Sequence, residues 1–327
     1  MIKVSVLTAA YNAEKYIADC LDSLLSQSFS DFEVICVDDA STDKTPQILQ
    51  EYSEKDHRVV YLRLNENGGQ AKARNIALRR AKGEYICMLD ADDWMSPDAL
   101  QSAYDIFRIH PETDSVLFQV CEVYENKHRI YPMPDFQVLS GQEAFEKSLT
   151  WAIHGLYMVR ASIHHCFPYD DSSKSYSDDN TTRMHYLQSR EVRQCQGIYY
   201  YRQHHESVTH RISVRRFDYL RANESMRQQM IDAHVEKRLL ILYEKMRWLN
   251  LVDVYMFYYK NRRQLSQGDR QYGIDEMRRV WKSIDVKCLP NRLRWKFGYM
   301  PFHSSWFLFR LQEEIYFFLR SLIGKNR

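Results

Sequence analysis

Four short apolar runs rich in β-branched residues constrain this chain of 327 residues most: KVSVLT at 3–8, FEVICV at 32–37, VVYLRL at 59–64 and EYICML at 84–89. Each suits a strand buried on both faces and is too short for an ordinary helix. Helical patterns separate them. Ile17, Leu21, Leu24 and Leu25 share one helix face, with Asn12 expected as the cap, and Pro46 suits the first turn of a helix carrying Ile48, Leu49 and Tyr52. Gly68 and Gly69 break the chain before a helix through Arg74, Ile76 and Ala77 that Gly83 can end; Ser96 and Pro97 read as cap and first turn of the next. The alternation predicts an α/β fold, a doubly wound and mostly parallel sheet, whose ligands gather at the carboxyl ends of the strands.

Beyond residue 115 the pattern loosens, with a strand expected at SVLFQVCEVY, a helix near 140–150, an apolar run at 151–160 and an irregular FPYDDSSKSYSDD after it. After residue 212 the reading is helical. Charge marks a boundary near 210: residues 1–210 hold 21 Lys+Arg and 31 Asp+Glu, a net of −10, whereas residues 211–327 hold 24 and 12, a net of +12. The expected organisation is therefore an acidic α/β domain at 1–210 and a helical, aromatic and basic region at 211–327 that prefers an anionic surface or a partner. Seven scattered cysteines without a CxxC pair read mostly as buried small hydrophobes in a reducing compartment. No secretory signal and no membrane-spanning run stands out, so a cytoplasmic location is expected.

Charged residues cluster at the strand ends. LDADDW at 89–94 sets Asp90, Asp92 and Asp93 straight after the fourth strand, and Asp38 and Asp39 follow the second. A single Asp there is commonly a cap or turn former. Three together repel one another unless a cation neutralises them, and oxygen ligands select Mg²⁺ or Mn²⁺, which share their coordination with substrate phosphates.

The ordered set VSVLTAAYNAEKYIADCLDSLLSQSFSDFEVICVDDASTDKT, GGQAKARN and LDADDW resembles the family-2 glycosyltransferases of the GT-A fold. The resemblance is dense over residues 3–110 and thinner over 150–210. It implies an inverting transferase that takes a nucleotide sugar, most often a UDP-sugar, with Mn²⁺ or Mg²⁺. The expected acceptor is a glycan or a lipid-linked hydroxyl in surface polysaccharide synthesis; nucleic acid is not an expected partner. On this resemblance Ala9, where the family often has Pro or Thr, Tyr11 and Asp39 face the nucleotide, Tyr11 by stacking and Asp39 by accepting from a uracil N–H. Arg74 brings a charged fork to phosphate or to Asp39, whereas Lys72 points to solvent. Asp93 is the expected metal ligand, Asp92 binds ribose or metal, and Asp90 is left structural.

Inverting transfer needs a base for the acceptor hydroxyl, and in YSDDNTTRMHYL the family's acidic pair corresponds to Asp178 and Asp179. Asp179 is the candidate base, and Asp178 orients the acceptor or caps the helix; Asp170 and Asp171 read as a solvated turn. In YYYRQHHESVTH, Arg202, His204 and Ser207 can reach diphosphate or metal. The aromatic and basic segment 294–327 is expected either at the inner face of the plasma membrane or packed on the catalytic domain. A sugar nucleotidyltransferase would need a Gly-rich basic loop that TAAYNAEKY lacks, and a non-catalytic nucleotide-sugar-binding module would be expected to lose the acids that remain here.

Overall fold

The computed structural model describes residues 2–172, 176, 178–204 and 212–324. The chain forms two compact units, Met1–Ser207 and Val208–Arg327. In the first, β1 (Val4–Ala10), α1 (Ile17–Leu25), β2 (Phe32–Asp38), α2 (Thr45–Lys55), β3 (Val59–Arg63), α3 (Gln70–Leu78) and β4 (Tyr85–Met88) alternate strictly. There follow β5 (Trp94–Met95), α4 (Ala99–Ile109), β6 (Thr113–Tyr124), β7 (Lys127–Ile130), β8 (Leu139–Ser140), α5 (Gly141–Leu149), β9 (Tyr157–Arg160), α6 (Ala161–Cys166), α7 (Asp178–Gln188) and β10 (Glu191–Arg202).

The sheet runs β3-β2-β1-β4-β9-β6-β10-β5, with β7 beside β6 and β8 beside β10. Its first four strands are parallel. The second half is mixed, because β9 runs antiparallel to both β4 and β6, β10 lies parallel to β6, and β5 closes the edge antiparallel to β10. Every residue of β2 is buried, as expected for a strand covered by helices on both faces. The register sets Ala10 opposite Asp38 and Leu7 opposite Met88, so the loops after β1, β2 and β4 leave the sheet at one edge. Asn12 does not cap α1, which begins five residues later. It sits at φ +50° and accepts the Thr42 N–H at 2.9 Å, tying the loop after β1 to the loop after β2. Ser96 likewise precedes the cap position of α4, Asp98, and donates to its carboxylate at 2.8 Å. Of the cysteines, Cys20, Cys36, Cys87, Cys121 and Cys195 are buried, Cys288 is half-buried and Cys166 is exposed.

The second unit holds α8 (Asp218–Asp232), α9 (Lys237–Asn261), α10 (Gln267–Ser283), α11 (Asn291–Arg294) and α12 (Trp306–Leu322). Its core is aromatic: Trp248, Tyr255, Trp281, Phe309 and Phe317 pack together, the last two from the inner face of α12. Glu313 lies on that same inner face, fully buried, with one oxygen accepting from Gln312 Nε2 at 3.0 Å and Oε2 without a partner among the described residues. Burial pushes its carboxyl well above the usual range. Unfolded, the group titrates near ~4.3, so its contribution to stability is intact below that pH and is lost as pH rises toward the raised folded value. Glu313→Gln is therefore expected to stabilise the fold by about 1–3 kcal/mol at pH 8, and by much less at pH 5, in urea titrations read by circular dichroism.

Candidate active site

The loops at the carboxyl edge of the sheet carry the residues expected to face a nucleotide. Tyr11, at 46% exposure, presents its ring at the end of β1. Asp39 is buried, and its two oxygens accept the backbone N–H groups of Gly68 and Gly69, each at 2.8 Å. Gly69 stands at φ +91°, where side chains are strained, and there it opens α3 with its N–H aimed at the carboxylate. The paired bonds fix Asp39 rigidly and leave each oxygen a second lone pair. Asp38 turns inward, accepting the Ser41 N–H at 3.0 Å and lying 3.3 Å from Arg63 Nε, so it forms the turn. Ala9 is half-buried on β1.

Arg74 corrects one expectation. It does not reach Asp39; its guanidinium is fully buried, bridging Asp90 at the end of β4 and Asp178 at the start of α7, the latter at 3.3 Å. A buried guanidinium requires such carboxylate partners. Gln70 joins the bridge with a 2.9 Å bond to Asp90, and Tyr169 lies against the guanidinium, 5.4 Å from ring centre to carbon. Burial raises the Asp90 carboxyl and the Arg74 charge opposes that rise.

Asp93, the expected metal ligand, has both oxygens taken by protein: Oδ1 accepts the Arg202 N–H at 2.7 Å and Oδ2 the Tyr199 hydroxyl at 2.8 Å. It is fully buried, and burial together with the Asp92 charge pushes its carboxyl well up. The Tyr199 hydroxyl also accepts the Asp90 N–H at 3.1 Å, so one phenol holds the LDADD turn from both ends. Arg202 is also withdrawn from the role expected of it. Nε donates to the Asp92 carbonyl at 2.8 Å, one terminal nitrogen to Asp19 at 2.9 Å, and the guanidinium lies between the rings of Tyr16 and Trp94 at 4.9 and 4.5 Å. It clamps the end of β10 against α1. Asp92, partly exposed like Asp90, has its Oδ2 2.8 Å from His204 Nε2, while the Tyr16 ring supports the imidazole at 4.9 Å and His204 Nδ1 is buried without a partner among the described residues. Among the described residues no third His, Cys, Asp or Glu completes a metal cluster there. Ser207 lies outside the described residues.

Across the Arg74 bridge, α7 begins with Asp178 and Asp179. Burial, and next the Asp178 charge, raise the Asp179 carboxyl to about 7, against the opposing charges of Arg183 and Arg74. Asp170 is no solvated turn: its Oδ2 accepts from Asn180 at 2.7 Å, while its N–H donates to Thr181 at 2.8 Å, fixing the start of α7. Arg183, one helical turn beyond Asp179, stacks on Trp151 at 5.2 Å; that Trp is partly exposed at φ +60° and its carbonyl accepts from Tyr131 at 2.7 Å. Gln70, Tyr199 and Trp151 were not singled out in the sequence, although the period of two in YYYR would have set Tyr199 on the buried face.

The family model described as Glycosyl transferase family 2 matches residues 5–168, half of the chain. The putative teichuronic acid biosynthesis glycosyltransferase TuaG of Bacillus subtilis is 50% identical over 98 residues, 30% of this chain and 39% of TuaG. The poly(ribitol-phosphate) β-N-acetylglucosaminyltransferase TarS of Staphylococcus aureus is 43% identical over 105 residues, 32% of this chain and 18% of TarS. The matched stretches thus span less than two fifths of either relative. The crystal structure of S. aureus TarS 1-349 with UDP-GlcNAc superposes at a TM-score of 0.74 and 21% identity, covering 96% of this chain and 91% of that one, which shows a shared fold. With the GT-A sheet, the acidic strand ends and half of its length matched by the family model, the chain belongs to glycosyl transferase family 2.

Proposed function

We propose that the protein is an inverting glycosyltransferase that moves a sugar from a nucleotide-diphospho-sugar, in the first instance a UDP-sugar, to a hydroxyl of a glycan or lipid-linked acceptor in cell-surface polysaccharide synthesis. The observation that carries the reading is the Arg74 bridge: one buried cation ties the acidic end of β4, the donor station in this reading, to the helix bearing the raised carboxyl of Asp179. TarS is named for transfer of N-acetylglucosamine to poly(ribitol-phosphate) and TuaG for teichuronic acid biosynthesis, which supports a wall or surface polymer as acceptor.

In this reading Tyr11 stacks on the base, and the lone pairs that Asp39 keeps beyond its glycine bonds accept the uracil N–H. Asp92 and His204, an oxygen and a nitrogen donor already turned toward one another, are the residues that would hold a divalent cation. An imidazole would suit Mn²⁺ better than Mg²⁺. Such an ion, when bound, neutralises charge on the departing diphosphate. Asp179 takes the acceptor proton as the hydroxyl oxygen attacks the anomeric carbon and the bond to the diphosphate oxygen breaks, inverting the configuration. Trp151 offers an aromatic face on the acceptor side.

Incubating the protein with Mn²⁺ and a panel of nucleotide sugars, with and without lipid-linked and polymeric acceptors, should give metal-dependent nucleotide release from one donor. Absence of turnover with every donor, from protein whose circular dichroism shows it folded, would overturn the proposal.

A further inference from the structure

We propose that the second compact unit docks on an anionic lipid bilayer, with α12 lying in the plane of the headgroups. This inference is independent of the chemistry assigned to the first unit.

Ordinarily the solvent face of a surface helix is polar. That of α12 is apolar: Phe307, Leu308, Leu311, Ile315, Phe318 and Leu322 all point outward, Phe307 at 71% and Leu322 at 67% exposure. Its opposite face is packed into the aromatic core through Phe309 and Phe317, so the helix is apolar on both sides. Among the described residues no helix is long and apolar enough to cross a membrane. Held by one face and greasy on the other, α12 suits shallow insertion parallel to the surface rather than a span.

Charge identifies what covers the outer face. Two adjoining open depressions of about 320 and 470 Å³ share Lys245 and Arg292 in their walls, Lys296 lines the smaller, and no described carboxylate lines either. Lys245, Arg292 and Lys296 form no ion pair with any described carboxylate; Arg238, in the larger cavity, is paired with Glu236. The smaller cavity is linked to α12 through its wall residue Tyr299, which, with Phe297 on the other side of a tight Gly298, packs on Tyr316 at 5.9 and 5.7 Å respectively. Trp295, between Arg292 and Lys296 in the sequence, is 80% exposed and is the side chain suited to a headgroup boundary. Glu313 is buried and Glu314 is paired with Arg262 at 2.7 Å, so the acids of α12 do not offset the cations. A phosphodiester headgroup fits the cavities while the acyl region covers the α12 face. A second copy of the chain would bring the same uncompensated cations to the contact, in a region whose net charge is +12.

The test is co-sedimentation of the full chain with vesicles of phosphatidylcholine, with or without phosphatidylglycerol. Binding should be about tenfold or more tighter to the anionic vesicles at low salt and fall as salt rises. Leu311→Glu with Phe318→Glu should abolish it, whereas Arg292→Ala and Lys296→Ala should each weaken it by about fivefold. Should the α12 variant fold poorly, brominated lipid provides a second reading, since it should quench fluorescence that Trp295→Phe removes. Equal binding to neutral and anionic vesicles overturns the proposal, as does no binding at all. So does a dimer in sedimentation analysis that the α12 variant disperses, which would make the face a contact between copies.

Discussion

Replacing Asp179 with asparagine is expected to lower kcat by about 10³-fold and leave nucleotide affinity unchanged. The reason is the environment of the carboxyl. A carboxylate with an ordinary titration range is a feeble acceptor at neutral pH, but burial and the neighbouring Asp178 raise Asp179 to about 7, where an ionised base still has appreciable proton affinity. Because only the ionised form accepts the acceptor proton, kcat/KM should climb with pH and level off above about 7. Arg183 favours the ionised form from one turn away, so Arg183→Gln should move that limb to higher pH. The same rise has a consequence for stability with a definite sign. A carboxyl raised in the folded state contributes stability below its unfolded value near ~3.9, and that contribution disappears as pH rises toward 7. Asp179→Asn should therefore be more heat-resistant than the parent at pH 8 while it loses transfer, the combination expected of a strained catalytic group. A pH profile flat from 5 to 8, or loss of nucleotide binding in the variant, would remove Asp179 from the role.

The alternation that specified the sheet was legible because strand and helix impose different periods on apolar residues, and KVSVLT, FEVICV, VVYLRL and EYICML carry that period without interruption. The acidic strand ends were legible for a related reason, since the end of a buried strand fixes where the next side chains emerge. What stayed hidden was which of several adjacent polar groups turns inward and which outward. In LDADD the chain turns tightly, with the Asp93 N–H bonded back to the Asp90 carbonyl at 3.1 Å, and one step along such a turn exchanges inside for outside. Nothing local says that Asp93 points inward to Tyr199, which lies 106 residues on. Arg74 presents the same difficulty over a similar span, because its partner Asp178 is 104 residues away and the pairing exists only once β4 and α7 have met. Asn12 shows the limit of local propensity: a residue suited to capping a helix serves as well in a left-handed turn, and the bond to Thr42 from the next loop decides between them. The segment 294–327 was readable as aromatic and basic, but only the packed fold separates Phe309 and Phe317, which face inward, from Phe307 and Phe318, which do not.

The second large effect separates Asp92 from its neighbour. Asp92→Ala and His204→Ala should each weaken Mn²⁺ binding, measured by electron paramagnetic resonance with UDP present, by about 10²-fold, because in the proposed site each removes one of two protein donors. Asp93→Ala should act differently. Its carboxylate holds the Arg202 N–H and the Tyr199 hydroxyl, and its loss leaves both donors without that acceptor and opens a small void, together costing about 2–4 kcal/mol of folding stability. Below its lowered melting temperature that variant should still bind Mn²⁺, with affinity reduced far less than in Asp92→Ala. The reverse ranking, with Mn²⁺ binding kept without Asp92 and lost without Asp93 in folded protein, would mean that the ion draws Asp93 out of its bonds to Tyr199 and Arg202. It would then follow that the LDADD turn rearranges on binding. Arg202 supplies an internal check on which description holds. Clamped between Tyr16 and Trp94, it transmits any movement of Asp93 to the chain leading to His204. Arg202→Ala should accordingly weaken Mn²⁺ binding, although its guanidinium is committed to Asp19 and the Asp92 carbonyl and has no part in holding the ion.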